Sequence, residues 1–260
     1  MKEPRLDMPM QNAGRTVTSE SLIDVENLMI GFKKEHVLRN ISLNLFKGEN
    51  LVVLGKSGSG KSVLIKCIVR LLIPDSGNIK IFGKDLETMN REELDETRKK
   101  TGFLFQSGAL YDSMTVKQNL EFPLRRIRKN LTEKEISEKV AEVLENVGLA
   151  DTLNKMPSQL SGGMRKRISL ARTIIVDPLI MLYDEPTTGL DPSTSDEISS
   201  LINDVQRKYK TSSLIITHDI ECVRTTADRI IMLHEGEVYT EGTLDYFEKS
   251  ADPLIKSFFK

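Results

Sequence analysis

The segment formed by residues 55–62 most strongly limits the fold that this chain can adopt. Its sequence, Gly-Lys-Ser-Gly-Ser-Gly-Lys-Ser, fits the pattern of a phosphate-binding loop. The apolar run at residues 51–54 precedes it and is typical of a strand buried on both faces. A helix-forming stretch at residues 61–72 follows it. A phosphate-binding loop requires this passage from buried strand to helix, so the segment predicts a nucleotide site on an α/β sheet.

The residue types in this loop suit a nucleotide with bound Mg²⁺. Glycines let backbone N–H groups approach the phosphates closely, and Lys61 can place a positive charge on the β and γ phosphates. The hydroxyl of Ser62 suits Mg²⁺, which prefers oxygen ligands. A glycine-rich turn with a solvated lysine is the alternative, but it does not explain the position between strand and helix. The expected nucleotide-binding residues of the loop are Gly55, Ser57, Gly58, Gly60, Lys61 and Ser62.

Further apolar runs complete the α/β pattern. Residues 180–183 and 214–217 repeat the buried-strand pattern, and helical stretches separate them, which favours a parallel sheet. Residues 230–233 and 238–240 flank the turn Glu235-Gly236 and predict a hairpin. Alternating apolar and polar residues around positions 23–25 and 41–45 predict half-buried strands.

The pattern changes between residues 107 and 176. Residues 132–147 place Ile136, Val140 and Val143 on one helical face, and no buried-strand run occurs in this part of the sequence. A second helix-forming run occupies residues 164–175. We interpret residues 107–176 as a helical lobe inserted into the α/β core.

Composition excludes several classes of protein. The chain has 260 residues, 39% of them hydrophobic, which suffices for one large domain or for a domain with an inserted lobe. Its formal net charge of -1 gives no electrostatic case for nucleic acid binding. No stretch approaches the roughly 18 apolar residues of a membrane span, so we do not expect a channel. Residues 1–20 are polar, lack the apolar core of a secretion signal and predict a flexible tail. Cys67 and Cys222 are interpreted as small buried hydrophobes in a reducing cytoplasm.

Carboxylates follow the apolar run at residues 180–183. Asp184 and Glu185 would stand at the carboxyl end of a parallel strand, beside the crevice where ligands bind in such sheets. We expect Asp184 to hold Mg²⁺ through its water shell, and Glu185 to orient and deprotonate the attacking water. A charged pair leaving a strand is common by itself, but a neighbouring phosphate-binding loop makes that interpretation improbable.

Three further segments offer polar groups to the same crevice. Gln106 and His218 each follow an apolar run; the glutamine suits metal or water and the imidazole suits the γ-phosphate. Either residue alone would be interpreted as an ordinary surface residue. Residues 160–164, Leu-Ser-Gly-Gly-Met, place bare backbone N–H groups at the start of a helix, which suits an anion. Two phosphate-binding surfaces in one chain suggest that two copies complete each other's site.

Taken in order, these motifs resemble those of ATP-binding cassette (ABC) ATPases. The resemblance covers residues 22–242 and implies a P-loop ABC-type α/β fold with an antiparallel β subdomain and an inserted helical subdomain. It implies that Ser161, Gly162 and Gly163 bind the γ-phosphate held by the partner's Lys61 loop, and that Asp191 lies across the dimer interface. Phe32 resembles the aromatic residue that stacks on adenine, although a phenylalanine of the core is the alternative. The implied cofactors are ATP and Mg²⁺.

The resemblance also implies a domain organisation. A flexible N-terminal tail occupies residues 1–20, and the ABC ATPase domain occupies residues 21–242 with its helical subdomain at about residues 107–176. Residues 243–260 form a C-terminal tail. Some relatives carry a longer C-terminal extension that grips the partner ATPase; this chain has little room for one, so Phe258 and Phe259 are expected at most to pack on a partner.

A finer resemblance concerns the segment after Gln106. Residues 103–112, Phe-Leu-Phe-Gln-Ser-Gly-Ala-Leu-Tyr-Asp, are similar to those of the ATPase of Mla-type lipid transporters, as are residues 156–159 and 164–167. Those ATPases work with a permease and a membrane-anchored MCE-domain protein. The resemblance therefore implies a peripheral subunit on the cytoplasmic face of the inner membrane, bound through a permease whose coupling helix docks just after Gln106.

Other functions remain open from the sequence alone. An ABC importer or exporter ATPase for another substrate would share most of the motifs. A non-transport ABC ATPase acting on ribosomes or DNA usually shows two cassettes or a long coiled coil, and this chain shows neither. A monomeric P-loop kinase would leave residues 160–164 and His218 unexplained.

Overall fold

The computed structural model describes residues 11–12, 15–16, 20–33 and 35–259. The predicted flexible tail at residues 1–20 lies outside the described residues, except for 11–12, 15–16 and 20. In chain order the described strands are β1 (Gln11–Asn12), β2 (Arg15–Thr16), β3 (Ser21–Phe32), β4 (Glu35–Phe46), β5 (Asn50–Leu54), β6 (Ser76–Ile81), β7 (Lys84–Asp85), β8 (Thr101–Leu104), β9 (Ile180–Asp184), β10 (Ser212–Thr217), β11 (Arg229–His234) and β12 (Glu237–Gly242).

Helices lie between and after these strands. In chain order they are α1 (Lys61–Ile68), α2 (Arg91–Lys99), α3 (Val116–Ile127), α4 (Glu133–Asn146), α5 (Gly162–Ile174), α6 (Pro192–Tyr209), α7 (Ile220–Thr226), α8 (Leu244–Lys249) and α9 (Pro253–Lys256). Two 3₁₀ turns, Ala150–Thr152 and Pro157–Gln159, precede α5.

A six-stranded sheet forms the centre of the molecule, in the order β12-β11-β5-β10-β9-β8. Its pairs are parallel except for the antiparallel hairpin of β11 and β12. Every residue of β5, β9 and β10 is buried, because apolar layers cover both faces of these strands. Their carboxyl ends lie side by side, with Leu54 opposite Thr217 and Ile216 opposite Asp184. The parallel register thus brings the phosphate-binding loop and the acidic pair to one edge of the sheet.

Two apolar clusters cover the two faces of this sheet. Alternate residues of β5 point to opposite clusters: Val52 and Leu54 pack with the helices α3 to α7, whereas Leu51 and Val53 pack with α1 and a second sheet. That second sheet is antiparallel, in the order β4-β3-β6-β7. The predicted α/β fold with an antiparallel β subdomain and helices between β8 and β9 is confirmed.

Local differences from the predicted elements have identifiable causes. We expect a helix over residues 61–72, but α1 ends at Ile68 because Arg70 adopts a left-handed φ of 53°. The Arg70 guanidinium donates to the carbonyl oxygen of Leu86 at 2.7 Å, which fixes this turn against the second sheet. The predicted hairpin is confirmed: Glu235 and Gly236 both have positive φ, the conformation of a two-residue type I′ turn.

The C-terminal residues pack on the chain's own core. Phe258 and Phe259 lie against the helical apolar cluster, and the ring of Phe259 is 5.8 Å from that of Phe247. The ammonium of Lys56 stands 5.9 Å from the ring centroid of Phe258. Within a single copy, both aromatic residues therefore pack on the chain's own core, and Phe258 also lies beside Lys56 of the phosphate-binding loop.

No helix in the described part of the chain has both the length and the apolarity that crossing a bilayer requires.

Candidate functional site

The phosphate-binding loop connects the end of β5 to the start of α1. Gly60 has a φ of 96°, in the left-handed region, and a Cβ there would lie 2.5 Å from Leu38 Cδ2. A Cβ on Gly55 would lie 2.8 Å from the carbonyl oxygen of Leu233. Both positions require glycine, because any side chain would collide with the strands that support the loop.

Two features leave this loop able to bind a ligand. Gly58 has a φ of 83°, and no described atom lies within 4 Å of the place its Cβ would take. Ser59 Oγ is buried and has no hydrogen-bond partner among the described residues. Ser57 is exposed beside them. An open backbone and an unpaired buried hydroxyl fit a cradle for phosphate oxygens.

Lys61 lies folded back on its own loop. Its side chain is 5% exposed, and Nζ donates to the carbonyl oxygens of Gly55 at 2.7 Å and Lys56 at 3.1 Å. Nζ also stands 3.3 Å from Glu185 Oε1. The buried ammonium is thus neutralised by the carboxylate that follows β9, two strands away from β5 in the sheet, and a phosphate could replace that carboxylate.

Ser62 and Asp184 meet at the predicted metal site. Ser62 Oγ donates to Asp184 Oδ1 at 2.9 Å. Burial raises the pKa of Asp184, and the Ser62 hydrogen bond opposes that effect. One hydroxyl and one carboxylate fit Mg²⁺, which keeps waters and shares phosphate oxygens with a nucleotide. Mg²⁺ bound in this way does not need a complete set of protein ligands. Among the described residues, no group of three or more His, Cys, Asp or Glu side chains is placed to hold a metal ion.

Glu185 connects several groups at the end of β9. Its Oε2 lies 2.8 Å from His218 Nδ1 and accepts from Thr188 Oγ1 at 3.2 Å. Its φ of 50° is unusual for a residue with a side chain, and its N–H donates to the carbonyl oxygen of Ile216. The structure therefore brings Glu185, His218 and Lys61 together in one contiguous cluster, as the sequence predicts.

Gln106 follows β8 at the edge of the same sheet and is exposed. Its backbone carbonyl oxygen accepts from Lys166 Nζ at 2.5 Å. Lys166 Nζ also donates to the carbonyl oxygen of Glu185 at 3.4 Å. Burial lowers the pKa of Lys166 to about 8, and the carboxylates of Asp184 and Glu185 oppose the shift.

The predicted anion surface at residues 160–164 forms the N-terminus of α5. Ser161 is the N-cap: its Oγ accepts from Met164 N at 3.2 Å. Ser161 and Gly162 are exposed. Among the described residues, no hydrogen bond or ion pair links residues 161–163 to the phosphate-binding loop. One copy of the chain therefore presents two separate anion surfaces.

Asp191 caps α6 next to this surface. It accepts from Thr194 N at 3.0 Å and from Thr194 Oγ1 at 2.6 Å, and these bonds lower its pKa. A Cβ on Gly163 would lie 2.4 Å from Thr194 Cγ2, so α5 and α6 meet closely here. The predicted role of Asp191 across a dimer interface stays a prediction.

Phe32 ends β3 and is 47% exposed. It therefore does not occupy the core, which leaves its ring free to stack on a base. A cavity of about 280 Å³ lies beside the phosphate-binding loop. Its lining residues are His36, Val37, Arg39, Gly58, Glu235 and Gly236.

The sequence does not predict the roles of two residues of the site. Asp219 accepts from Thr187 Oγ1 at 2.7 Å and caps α7, which fixes the segment carrying His218. An aspartate directly before a helix is the sequence pattern that indicates such a cap. Lys166 is the second of these residues. Its position at the start of the apolar face of α5 is the sequence pattern that indicates a buried lysine.

Comparisons with known proteins agree with this geometry. The sequence profile of the ABC transporter family matches residues 38–188, more than half of the chain. Two solved structures of the dimeric ATP-binding cassette MJ0796 superpose with a TM-score of 0.78, one of them in a post-hydrolysis state bound to ADP and Pi. Their sequences are 32% and 33% identical to this chain, and the alignment covers 85% of this chain and 98% of theirs.

Curated relatives cover nearly the whole chain. Protein TRIGALACTOSYLDIACYLGLYCEROL 3 of Arabidopsis thaliana is 37% identical over 92% of this chain and 74% of its own length. A probable ribonucleotide transport ATP-binding protein, mkl, of Mycobacterium leprae is 39% identical over 91% and 68%. The methionine import ATP-binding protein MetN of Brucella abortus is 34% identical over 94% and 66%.

Proposed function

Because this chain belongs to the ABC transporter family and is an ATPase that binds ATP with Mg²⁺, we propose that it is the motor subunit of a lipid transporter. Two copies close around two ATP molecules, drive a membrane permease, hydrolyse the ATP and reopen. The family, the ATPase activity and the cofactors predicted from the sequence are confirmed. The cargo, the permease and the roles of individual residues are the proposal.

The proposed catalytic site uses residues from both copies. Lys61 releases Glu185 when the γ-phosphate arrives, and Glu185 then orients and deprotonates water while His218 donates to the γ-phosphate. Ser62, Asp184 and Gln106 hold Mg²⁺ and its waters. The separation of residues 161–163 from the phosphate-binding loop supports this arrangement, because no hydrogen bond or ion pair among the described residues joins the start of α5 to the loop of its own copy, so its N–H groups are available to a second nucleotide.

Nucleotide recognition completes the shared site. Residues 55–62 hold the phosphates, and the exposed ring of Phe32 stacks on the adenine. Ser161, Gly162 and Gly163 bind the partner's γ-phosphate, with Asp191 at the interface. We assign these roles within an ABC ATPase domain of residues 21–242, with a helical subdomain at about residues 107–176, preceded by residues 1–20 and followed by a C-terminal tail at residues 243–260.

The segment after Gln106 carries the proposal of a permease partner. Tyr111 is 42% exposed, and the ring of the exposed Phe122 meets it edge-on at 5.2 Å. Asn119, fully buried, accepts from Tyr111 N and donates to the carbonyl oxygens of Tyr111 and Met114. An exposed aromatic pair on a rigid support suits an amphipathic helix of a membrane protein.

The lipid cargo is supported by resemblance of the segment at residues 103–112 to Mla-type ATPases. The Arabidopsis relative, whose name is that of a glycolipid, adds to this support. An Mla-type system implies a permease and an MCE-domain protein, and it places this subunit on the cytoplasmic face of the inner membrane, bound through the permease.

The test is purification of the intact complex from detergent-solubilised membranes, followed by mass spectrometry of its proteins and its bound small molecules. We expect a permease, an MCE-domain protein and phospholipid to co-purify with the wild-type protein. They should not co-purify with a Tyr111→Ala variant, which should still hydrolyse ATP. A permease without an MCE-domain partner or bound lipid contradicts the lipid proposal and leaves the motor proposal standing. A ribosome in place of a permease contradicts both.

Methionine import is the second candidate, because MetN proteins are among the relatives. The same purification distinguishes it. A complex that binds methionine and carries no lipid would replace the lipid assignment with this one.

A further inference from the structure

One face of α5 holds the segment that follows Gln106. Lys166 Nζ donates to the carbonyl oxygen of Gln106 at 2.5 Å. Three residues along the helix, Ser169 stands against Gly108, where a Cβ would lie 2.6 Å from Ser169 Oγ. Positions three residues apart on a helix share a face, so these contacts form a continuous row.

Arg172 extends this row by three more residues. Its Nη1 donates to the carbonyl oxygen of Ala109 at 2.7 Å, and its guanidinium lies 4.7 Å from the Tyr111 ring centroid. Residues 106–111 therefore run along α5, with contacts to it at Gln106, Ala109 and Tyr111 and a close approach at Gly108. A displacement of this segment must move α5, or break these contacts.

Lys166 differs from Ser169 and Arg172 because it also reaches the backbone at the end of β9. Its Nζ donates to the carbonyl oxygen of Glu185 at 3.4 Å, and the residue is 6% exposed. A buried ammonium is retained where its partners fix its place, here two carbonyl oxygens. No other donor to the Gln106 carbonyl oxygen occurs among the hydrogen bonds of the described residues.

We propose that Lys166 is a positioning residue that ties α5 to the backbone of both Gln106 and Glu185. The N-terminus of α5, one turn before Lys166, carries Ser161 and Gly163, which serve the partner's nucleotide in the proposed function. Glu185 serves the nucleotide of its own copy. Lys166 thus connects the half of the site that a copy gives to its partner with the half that it uses itself. This inference rests on the shared site of the proposed function.

The test compares Lys166→Met, which keeps the length and removes the donors, with Lys166→Gln, which keeps a donor. We expect Lys166→Met to lower kcat by about tenfold or more, since small displacements of catalytic groups have such effects. Binding of a fluorescent ATP analogue should change by less than about twofold, because residues 55–62 are untouched. Lys166→Gln should recover most of the lost kcat. Lys134→Met removes an exposed lysine of α4 and is the matched control.

Wild-type kcat in Lys166→Met, or equal losses in Lys166→Met and Lys166→Gln, would overturn the proposal. If Lys166→Met does not fold, Lys166→Gln alone tests the proposal. A kcat of Lys166→Gln at or below about a tenth of the wild-type value would then overturn the proposal. Size-exclusion chromatography of the Glu185→Gln variant on ATP distinguishes failure of the shared site from failure of the Lys166 role. A Glu185→Gln variant that binds ATP and stays monomeric refutes the shared site; a dimer of that variant, together with a wild-type kcat in Lys166→Met, refutes only the role of Lys166.

Discussion

Glu185 is the residue on which the proposed catalytic arrangement converges. Its two carboxylate oxygens face different basic side chains, Lys61 Nζ at 3.3 Å and His218 Nδ1 at 2.8 Å. Its backbone has a positive φ, a conformation that persists only where the surrounding structure fixes it. Here the N–H of Glu185 is bonded to β10 and its carbonyl oxygen to Lys166. The side chain is thereby held at the strand end, next to the phosphate-binding loop.

Glu185→Gln tests the role of this carboxylate. Glutamine has the same shape and can still accept from Thr188, but it cannot take a proton from water. We expect ATP binding to persist while kcat falls by about a hundredfold or more, the usual loss when a general base is removed. The protein should also accumulate as a dimer on ATP. Steady-state hydrolysis at the wild-type rate would exclude Glu185 as the base.

The two cysteines give a second prediction at this scale. Cys67 and Cys222 are both buried and free, and burial raises the pKa of their thiols to about 11 and about 12. The thiolate is the reactive form, so at mildly alkaline pH both groups are protonated and shielded. We expect a thiol reagent to react slowly with the native protein. After denaturation it should react rapidly with both cysteines. Rapid modification of native protein at either position would contradict their burial.

Single residues differed in how far the sequence predicted them. Lys61, Ser62 and Asp184 belong to motifs whose spacing and context predict their neighbourhood, and the structure places them together. Lys166 lies in the segment 164–167 that carries part of the resemblance, but the sequence does not predict its role, because its partners are backbone carbonyl oxygens of two distant segments. Only the assembled sheet shows that those carbonyl oxygens converge on one ammonium.

At the scale of elements, one buried arginine joins the two sheets. Arg229 starts β11 and donates to Glu49 Oε1 at 2.6 Å and to the carbonyl oxygen of Asn44 at 2.6 Å. Its guanidinium also lies 5.2 Å from the ring centroid of Phe46. Glu49 is 3% exposed and Arg229 is 6% exposed, so the pair is shielded from water. This contact fixes the end of β4 against the central sheet.

Arg229→Met should destabilise the protein strongly. It leaves the buried Glu49 carboxylate without its cation, a change that typically costs about 3–5 kcal/mol of unfolding free energy. Chemical denaturation followed by circular dichroism measures the loss. The double variant Glu49→Leu with Arg229→Met is the control and should recover much of the stability, since it leaves no buried charge unpaired; Glu241, which also pairs with Arg229, is 43% exposed and stays solvated. A single variant with wild-type stability would show that the ion pair does not hold the sheets together.

The elements themselves follow largely from local pattern. The runs of β5, β9 and β10 predict buried strands because both faces are apolar, and Glu235-Gly236 predicts its hairpin through turn chemistry. The early end of α1 was not predictable in this way. It depends on the Arg70 side chain finding carbonyl oxygens near β7, a contact that exists only after the second sheet has formed.

At the scale of the whole molecule, the proposed shared site rests on the separation of the two anion surfaces. One copy holds Lys61 and Glu185 at the edge of the central sheet, while Ser161 caps α5 and contacts none of them through a hydrogen bond among the described residues. A two-fold symmetric dimer brings the same patch of each copy to its partner, so each site receives one half from each copy. The two MJ0796 structures are described as dimeric, which agrees with this arrangement.

Complementation between two inactive variants tests the shared site most directly. Lys61→Ala and Ser161→Arg should each be inactive alone, and circular dichroism should show that both are folded. A mixed dimer contains one intact site, built from Lys61 of one variant and Ser161 of the other. With random pairing, mixing equal amounts should restore hydrolysis to as much as about a quarter of the wild-type rate. Mixed dimers that form on ATP and hydrolyse none, or a Ser161→Arg variant that is active alone, would contradict a site shared between two copies.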